Sequence, residues 1–112
     1  MKLFEGLKKI REFERLQLPF IKSVADFDIV VEIGFAEEQG NPLTPKQLFL
    51  LKVSSQTTVR RKLDQLIAQG IVRQRKHAGD KRSRLLVISP STGKLLGKYG
   101  GALMSISAAH FK

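Results

Sequence analysis

Apolar residues Leu3, Phe4, Leu7, Ile10, Phe13 and Leu16 recur every three or four positions with charges between them, which predicts an amphipathic helix ending by about Pro19. A second helix is expected through Phe27, Val30, Val31, Gly34 and Phe35, with Ser23 and Asp26 spaced as a capping box. Its apolar residues, Ile29 and Ile33 included, cover most of the circumference, so burial on more than one side is expected. Gly40, Asn41 and Pro42 stop it. Thr44-Pro45-Lys46-Gln47 then has the form of a fresh helix start: a hydroxyl N-cap, proline at the first helical position, and glutamine three residues after the cap. That short helix runs to about Leu51. After a turn at Lys52-Val53-Ser54, Ser55 caps a further helix to Gln69, where Gly70 tolerates a left-handed terminus. Two helices so closely joined form a helix-turn-helix signature.

Ile71 to Lys76 and Arg84 to Ile88 are strand-like, and Ala78-Gly79-Asp80-Lys81 between them favours a turn, so a β-hairpin follows the second helix of the pair. Ser89-Pro90 is an N-cap followed by proline, opening a last helix whose stripe Leu95, Leu96, Tyr99, Ala102, Leu103 and Ile106 continues to near Ala109. The expected fold is mainly α with a small β-hairpin (α+β). It is a single winged helix-turn-helix domain, with an N-terminal helix over 1–18, a core over 23–89 and a C-terminal helix over 90–110.

Charge sharpens this outline. The formal net charge is +10, from 20 Lys and Arg against 10 Asp and Glu, which points to a polyanionic partner. Ten of the basic residues and two of the acidic ones lie between Lys52 and Arg84, so the excess belongs to the helix-turn-helix and hairpin and not to general solubility. Within the helix from Ser55 to Gln69, Val59, Leu63, Leu66 and Ile67 fall on one side, suited to the core. The opposite side carries Thr57, Thr58, Arg61 and Gln65, flanked by Gln56 and Arg60. These are side chains suited to a major groove: arginine pairs with guanine O6 and N7, glutamine with adenine, and threonine meets phosphate or a thymine methyl. On the hairpin, Arg73, Arg75, Lys76, Lys81, Arg82 and Arg84 cluster where phosphate or the adjacent minor groove would lie. Asp80 suits a turn residue that orients an arginine. The candidate DNA-binding set is therefore Ser55, Gln56, Thr57, Thr58, Arg60, Arg61, Gln65, Arg75, Lys76, Lys81, Arg82 and Arg84, with double-stranded DNA as the partner.

The stretch from Leu43 through Gly93 resembles the winged-helix core of MarR-type transcriptional regulators: PLTPKQL, then SSQTTVRRKLDQLIAQGIVRQR, then DKRSRLLVIS with Pro90 and Gly93. The resemblance covers about half the chain, and its D-x-R-x-R wing is the more specific part. It implies Thr57, Thr58 and Arg61 at the major groove, Arg82 at the wing tip, and a homodimer held by the terminal helices. Those helices are short for the family, which leaves a small-molecule effector open.

Catalysis and cofactors find no support. His77 and His110 lie on different elements with no carboxylate at ligand spacing, and the isolated Thr92-Gly93-Lys94 lacks a phosphate-cradling glycine loop. Cysteine is absent, excluding disulfides and thiolate metal sites and fitting a reducing cytoplasm, with nucleoid association following from the DNA reading. Apolar runs such as Leu48 to Leu51 are too short for a membrane span or a signal peptide. Two other uses of the same fold remain: a protein-interaction or assembly module, which would need no concentrated positive charge, and a plasmid- or phage-type replication or partition protein.

Overall fold

The computed structural model describes residues 1–77 and 79–111, with the backbone alone at His77, Asp80, Lys81 and Arg82. In chain order the elements are α1 (Leu3–Gln17), α2 (Val24–Glu38), α3 (Pro45–Leu50), α4 (Gln56–Ala68), β1 (Val72–His77), β2 (Asp80–Ile88) and α5 (Pro90–His110). This is the order of helices and hairpin that the periodicity predicts. One boundary moves. β2 begins at Asp80, so Asp80 and Lys81, expected in the turn, are strand residues; an irregularity in register after Lys76 lets His77 pair directly with Asp80 and extends the ladder. Ala78, another residue of the expected turn, lies outside the described residues.

Local chemistry explains most helix ends. The Thr44 hydroxyl accepts from the Gln47 N–H while the Gln47 side chain accepts from the Thr44 N–H, a complete capping box. Ser55 and Ser89 cap α4 and α5 by accepting from the N–H groups of Thr58 and Thr92. At the end of α4, Gly70 adopts φ 74°, its N–H donating to the Ile67 carbonyl and the Ile71 N–H to that of Leu66. This is a Schellman motif that sends the half-buried Ile71 back onto the core and so sets the start of the hairpin. The turn between α3 and α4 is less comfortable: Lys52 takes φ 54°, which for a side chain with a Cβ costs roughly 1–2 kcal/mol.

At α2 the expected capping box forms differently. Ser23 makes no cap; its hydroxyl instead donates to Asp26 Oδ2 at 3.1 Å, and the Lys22 N–H donates to the same oxygen at 3.0 Å. The other carboxylate oxygen accepts from Lys62 Nζ of α4 at 3.1 Å, with the Lys62 and Asp26 side chains only 13% and 7% exposed. Asp26 therefore faces inward, toward α4, and is drawn away from capping by a buried cation 36 residues later.

The core gathers Leu18 and Phe20 from the loop after α1, Ile29, Val30 and Ile33 of α2, Leu48 of α3, Val59, Leu63 and Leu66 of α4, Val72 of β1 and Leu86 of β2. β2 is docked by two further bonds, Leu86 N–H to the Leu43 carbonyl and Ile88 N–H to Glu37 Oε1. Burial of α2 on several sides is only partly realised: Phe27 packs edge-on against Tyr99, but Val24, Val31 and Phe35 stay exposed, because none of the described residues covers them.

α1 and α5 pair antiparallel. The Lys2 N–H donates to the His110 carbonyl, and Gly6 is approached so closely by Phe111 that a Cβ there would collide with the ring. Further along, Phe13 stacks on Tyr99 at 5.8 Å, and the Tyr99 hydroxyl donates to Glu14 Oε2 at 2.5 Å. Tyr99 thus joins α1, α2 and α5.

Both buried polar contacts can be tested by titration or substitution. Burial, reinforced by the bond to the Glu14 carboxylate, pushes the Tyr99 phenol up to about 12. Tyr99 is the only tyrosine and the chain has no tryptophan, so ultraviolet titration reads it directly. Phenolate should form near 12 or together with loss of helical circular dichroism, whereas a folded chain titrating near 10 would contradict the contact. For Asp26, burial raises the carboxyl, but the Lys62 ammonium and the two hydrogen bonds outweigh it and hold the carboxyl below its usual 3.8. Its contribution is present above that value and is lost as pH falls below it. Lys62→Met, which strands the carboxylate, should cost about 3–5 kcal/mol in urea unfolding at neutral pH, and pairing it with Asp26→Leu should recover most of that loss.

Candidate nucleic-acid interface

Successive residues on an α-helix point about 100° apart, so Arg60, Arg61 and Lys62 fan across α4. The two outer members are held. Lys62 is locked to Asp26 of α2 on one flank, and on the other Arg60 lies over the Phe49 ring of α3, its guanidinium carbon 5.1 Å from the centroid. Arg61, midway between them, is exposed and points directly away from Val59, Leu63 and Leu66. The buried row Val59, Leu63 and Leu66 sets the rotation of α4 about its own axis, and with it the direction in which Arg61 is presented; the two flanking contacts reinforce it.

Thr57 and Gln65 stand one turn before and after Arg61 and are exposed, and Gln56 is exposed at the helix start. With Arg61 they form the outward face the periodicity predicts. Ser55 and Thr58 behave differently: Ser55 Oγ accepts from the Thr58 N–H and donates to Thr58 Oγ1 at 2.9 Å, and Thr58 is half-buried. Their hydroxyls serve first to start the helix. Asp64, exposed one turn after Arg60 and Arg61 and absent from the expected set, adds an acceptor of the kind that reads cytosine N4 and repels phosphate.

The hairpin divides its basic residues by the two-residue period of a strand. Val72, Gln74 and Lys76 share a face with their partners Ile88, Leu86 and Arg84, whose inner members enter the core, so Lys76 and Arg84 are the outermost pair of that face. Arg73 and Arg75, opposite Val87 and Leu85, are exposed on the other face. Four of the six residues of the cluster seen in the sequence are thus two pairs on opposite faces. Lys81 and Arg82 occupy β2 positions between Asp80, the partner of His77, and Ser83, and their side chains lie outside the described residues.

Sequence reasoning missed two members of this region. Lys62 counted only as one more positive charge, yet it is the side chain that anchors α4. Lys22, in the loop before α2, lines with Arg61, Lys62, Gln65 and Gln69 a cleft of about 370 Å³ whose wall includes Asp26 and Phe20. An isolated lysine so far along the chain from Arg61 gives no signal in the sequence.

No protein-family model matches the chain, and no curated protein sequence does. Solved structures do. The MepR–DNA complex of S. aureus superposes with a TM-score of 0.75 at 16% identity, covering 95% of this chain and 75% of that one. The transcriptional regulator Tm0710 of Thermotoga maritima gives 0.69 at 21% identity, with 92% and 70% covered. A cysteine-to-serine mutant of E. coli MarR in complex with operator DNA gives 0.60 at 21% identity, with 87% of this chain and 66% of that chain covered. The chain therefore spans about two thirds to three quarters of the length of these proteins, and over that span its fold is the winged helix of MarR-type regulators.

Proposed function

We propose that the chain is a sequence-specific double-stranded DNA-binding protein, a transcriptional regulator acting in the cytoplasm as a homodimer. The observation that carries this is Arg61, exposed at the apex of a helix held on both flanks, with Thr57 and Gln65 on the same face and a basic hairpin directly after it. A helix so presented fits a major groove, and Arg75, Lys76, Lys81, Arg82 and Arg84 on the wing fit phosphate or the neighbouring minor groove. The structural likeness to MepR and MarR, both captured on DNA, agrees with this reading.

The shape supports dimerisation. The radius of gyration is 15.6 Å and the extents are 52 × 26 × 22 Å, where a compact domain of this length has a radius of about 13 Å. The excess length is the α1–α5 arm. Part of each terminal stripe is used within the chain, since Phe13 stacks on Tyr99 and Leu95, Leu96 and Tyr99 pack against the core. Leu3, Phe4, Leu7 and Met104 remain exposed, Phe4 at 80% and Met104 at 76%. An apolar patch of this kind is suited to a second copy.

Sedimentation at the concentrations used for DNA binding should give a dimer mass, and Phe4→Asp should return the monomer; a wild-type monomer at every concentration would exclude this assembly. The two DNA-contacting elements should separate by the kind of energy each supplies. Arg61→Ala should cost about 1–3 kcal/mol on a duplex selected from random sequence and much less on unselected duplex. Arg82→Ala should weaken both duplexes alike and lower the slope of log affinity against log salt by about 0.9 for each phosphate no longer neutralised, or about 1.8 in a dimer. If Arg82→Ala left the slope unchanged with folding intact, the wing would not touch DNA, and a protein-interaction role would replace this one.

A further inference from the structure

We infer that the loop joining α1 to α2 is a third DNA-contacting element, with Lys22 as its phosphate ligand; the inference rests on α4 being the recognition helix. The loop is rigid for so short a connection. Leu18 and Phe20 plug into the core on either side of Pro19, and the Ile21 N–H donates to the Leu18 carbonyl. At its end the Lys22 N–H and the Ser23 hydroxyl both bind Asp26 Oδ2, while Asp26 Oδ1 holds Lys62 of α4. One carboxylate therefore fixes the backbone of Lys22 relative to the recognition helix, leaving the Lys22 side chain exposed.

Its position follows from the helix geometry. Lys62 marks the flank of α4 that faces α2, and Gln65 and Gln69 continue along that flank; Lys22 lines the same cleft as these residues and Arg61. When the outward face of α4 enters a major groove about 12 Å wide, a sugar–phosphate backbone runs along each flank of the helix. The loop stands beside one of them. Asp26, the carboxylate among the residues lining the cleft, is already bound by an ammonium and two hydrogen bonds, so the field reaching solvent there is that of Lys22 and Arg61. The positive character continues past Lys22, which also lines a neighbouring concavity of about 580 Å³ with Arg11 and Arg15; Glu14 in that wall is engaged by Arg11 and Tyr99. A flanking phosphate, with no base to read, is the occupant this chemistry fits, because a lone lysine supplies charge without the fork geometry that recognises a base edge.

The test uses the full chain. Lys22→Ala keeps the backbone N–H that binds Asp26, so the fold should be unaffected, and circular dichroism checks this. Titrations of wild type, Lys22→Ala and Arg61→Ala on the selected and an unselected duplex, each at several salt concentrations, should show Lys22→Ala weakened by similar factors on both. Its salt slope should fall by about 0.9 per phosphate, about 1.8 for a dimer. Replacing single phosphates of the selected duplex by uncharged methylphosphonates should then reveal a position that weakens wild type but not Lys22→Ala. A salt slope and a methylphosphonate profile equal to wild type would overturn the Lys22 assignment while Arg61→Ala still loses discrimination. Failure of Arg61→Ala to lose discrimination would instead overturn the reading of α4, and the assignment with it.

Discussion

The arrangement of the face around Arg61 depends on one buried carboxylate. Asp26 accepts from the Lys22 N–H, the Ser23 hydroxyl and the Lys62 ammonium, so that the loop before α2, the start of α2 and the flank of α4 all meet at two oxygen atoms. Such a pair is weak evidence for stability, since desolvating two ions costs about as much as their attraction returns. Its effect is positional. The buried row Val59, Leu63 and Leu66 sets the rotation of α4, and the ion pair ties the Lys62 flank to the loop before α2. Arg60 over Phe49 holds the opposite flank, and Arg61 stands between the two.

The elements themselves are legible in the sequence because their signals are local. Periodicity, the Thr44-Pro45 and Ser89-Pro90 starts and the Gly70 terminus each involve neighbours within a turn or two, and each forms as the sequence implies. The outward face of α4 is equally readable, since Thr57, Arg61 and Gln65 need only the 3.6-residue period. What escapes depends on distant partners. Asp26 has the spacing of a capping residue and would serve as one if Lys62 did not draw it inward. Lys22 comes beside Arg61 because a hydrogen bond from its backbone to Asp26 places it there. On the hairpin the two-residue period separates Arg73 and Arg75 from Lys76, but the pairing of Lys76 with Arg84 follows from an irregularity in register after Lys76 that composition does not show.

The exposed apolar residues Leu3, Phe4, Leu7 and Met104 belong to the α1–α5 arm, and others, Val24, Val31 and Phe35, lie on α2 of the winged core. Tyr99 connects the two regions, touching Phe13 and Glu14 of α1 and Phe27 of α2. Through Phe27, Tyr99 thus ties the arm to α2, the helix that also carries Asp26.

The closure of α1 on α5 has an entropic consequence. The long-range contacts that close the winged core, Asp26 to Lys62, Leu43 to Leu86 and Glu37 to Ile88, span 36 to 51 residues. The arm instead brings Lys2 to His110 and Gly6 to Phe111, joining the two ends of the described chain. Bringing together ends so far apart incurs loop-closure entropy unless the intervening residues are already folded. A core already folded would shorten the tether between the two ends and lower the cost of closing the arm. Parting α1 from α5 would release the Gly6–Phe111 contact while Asp26–Lys62 and Arg60–Phe49 still flank Arg61.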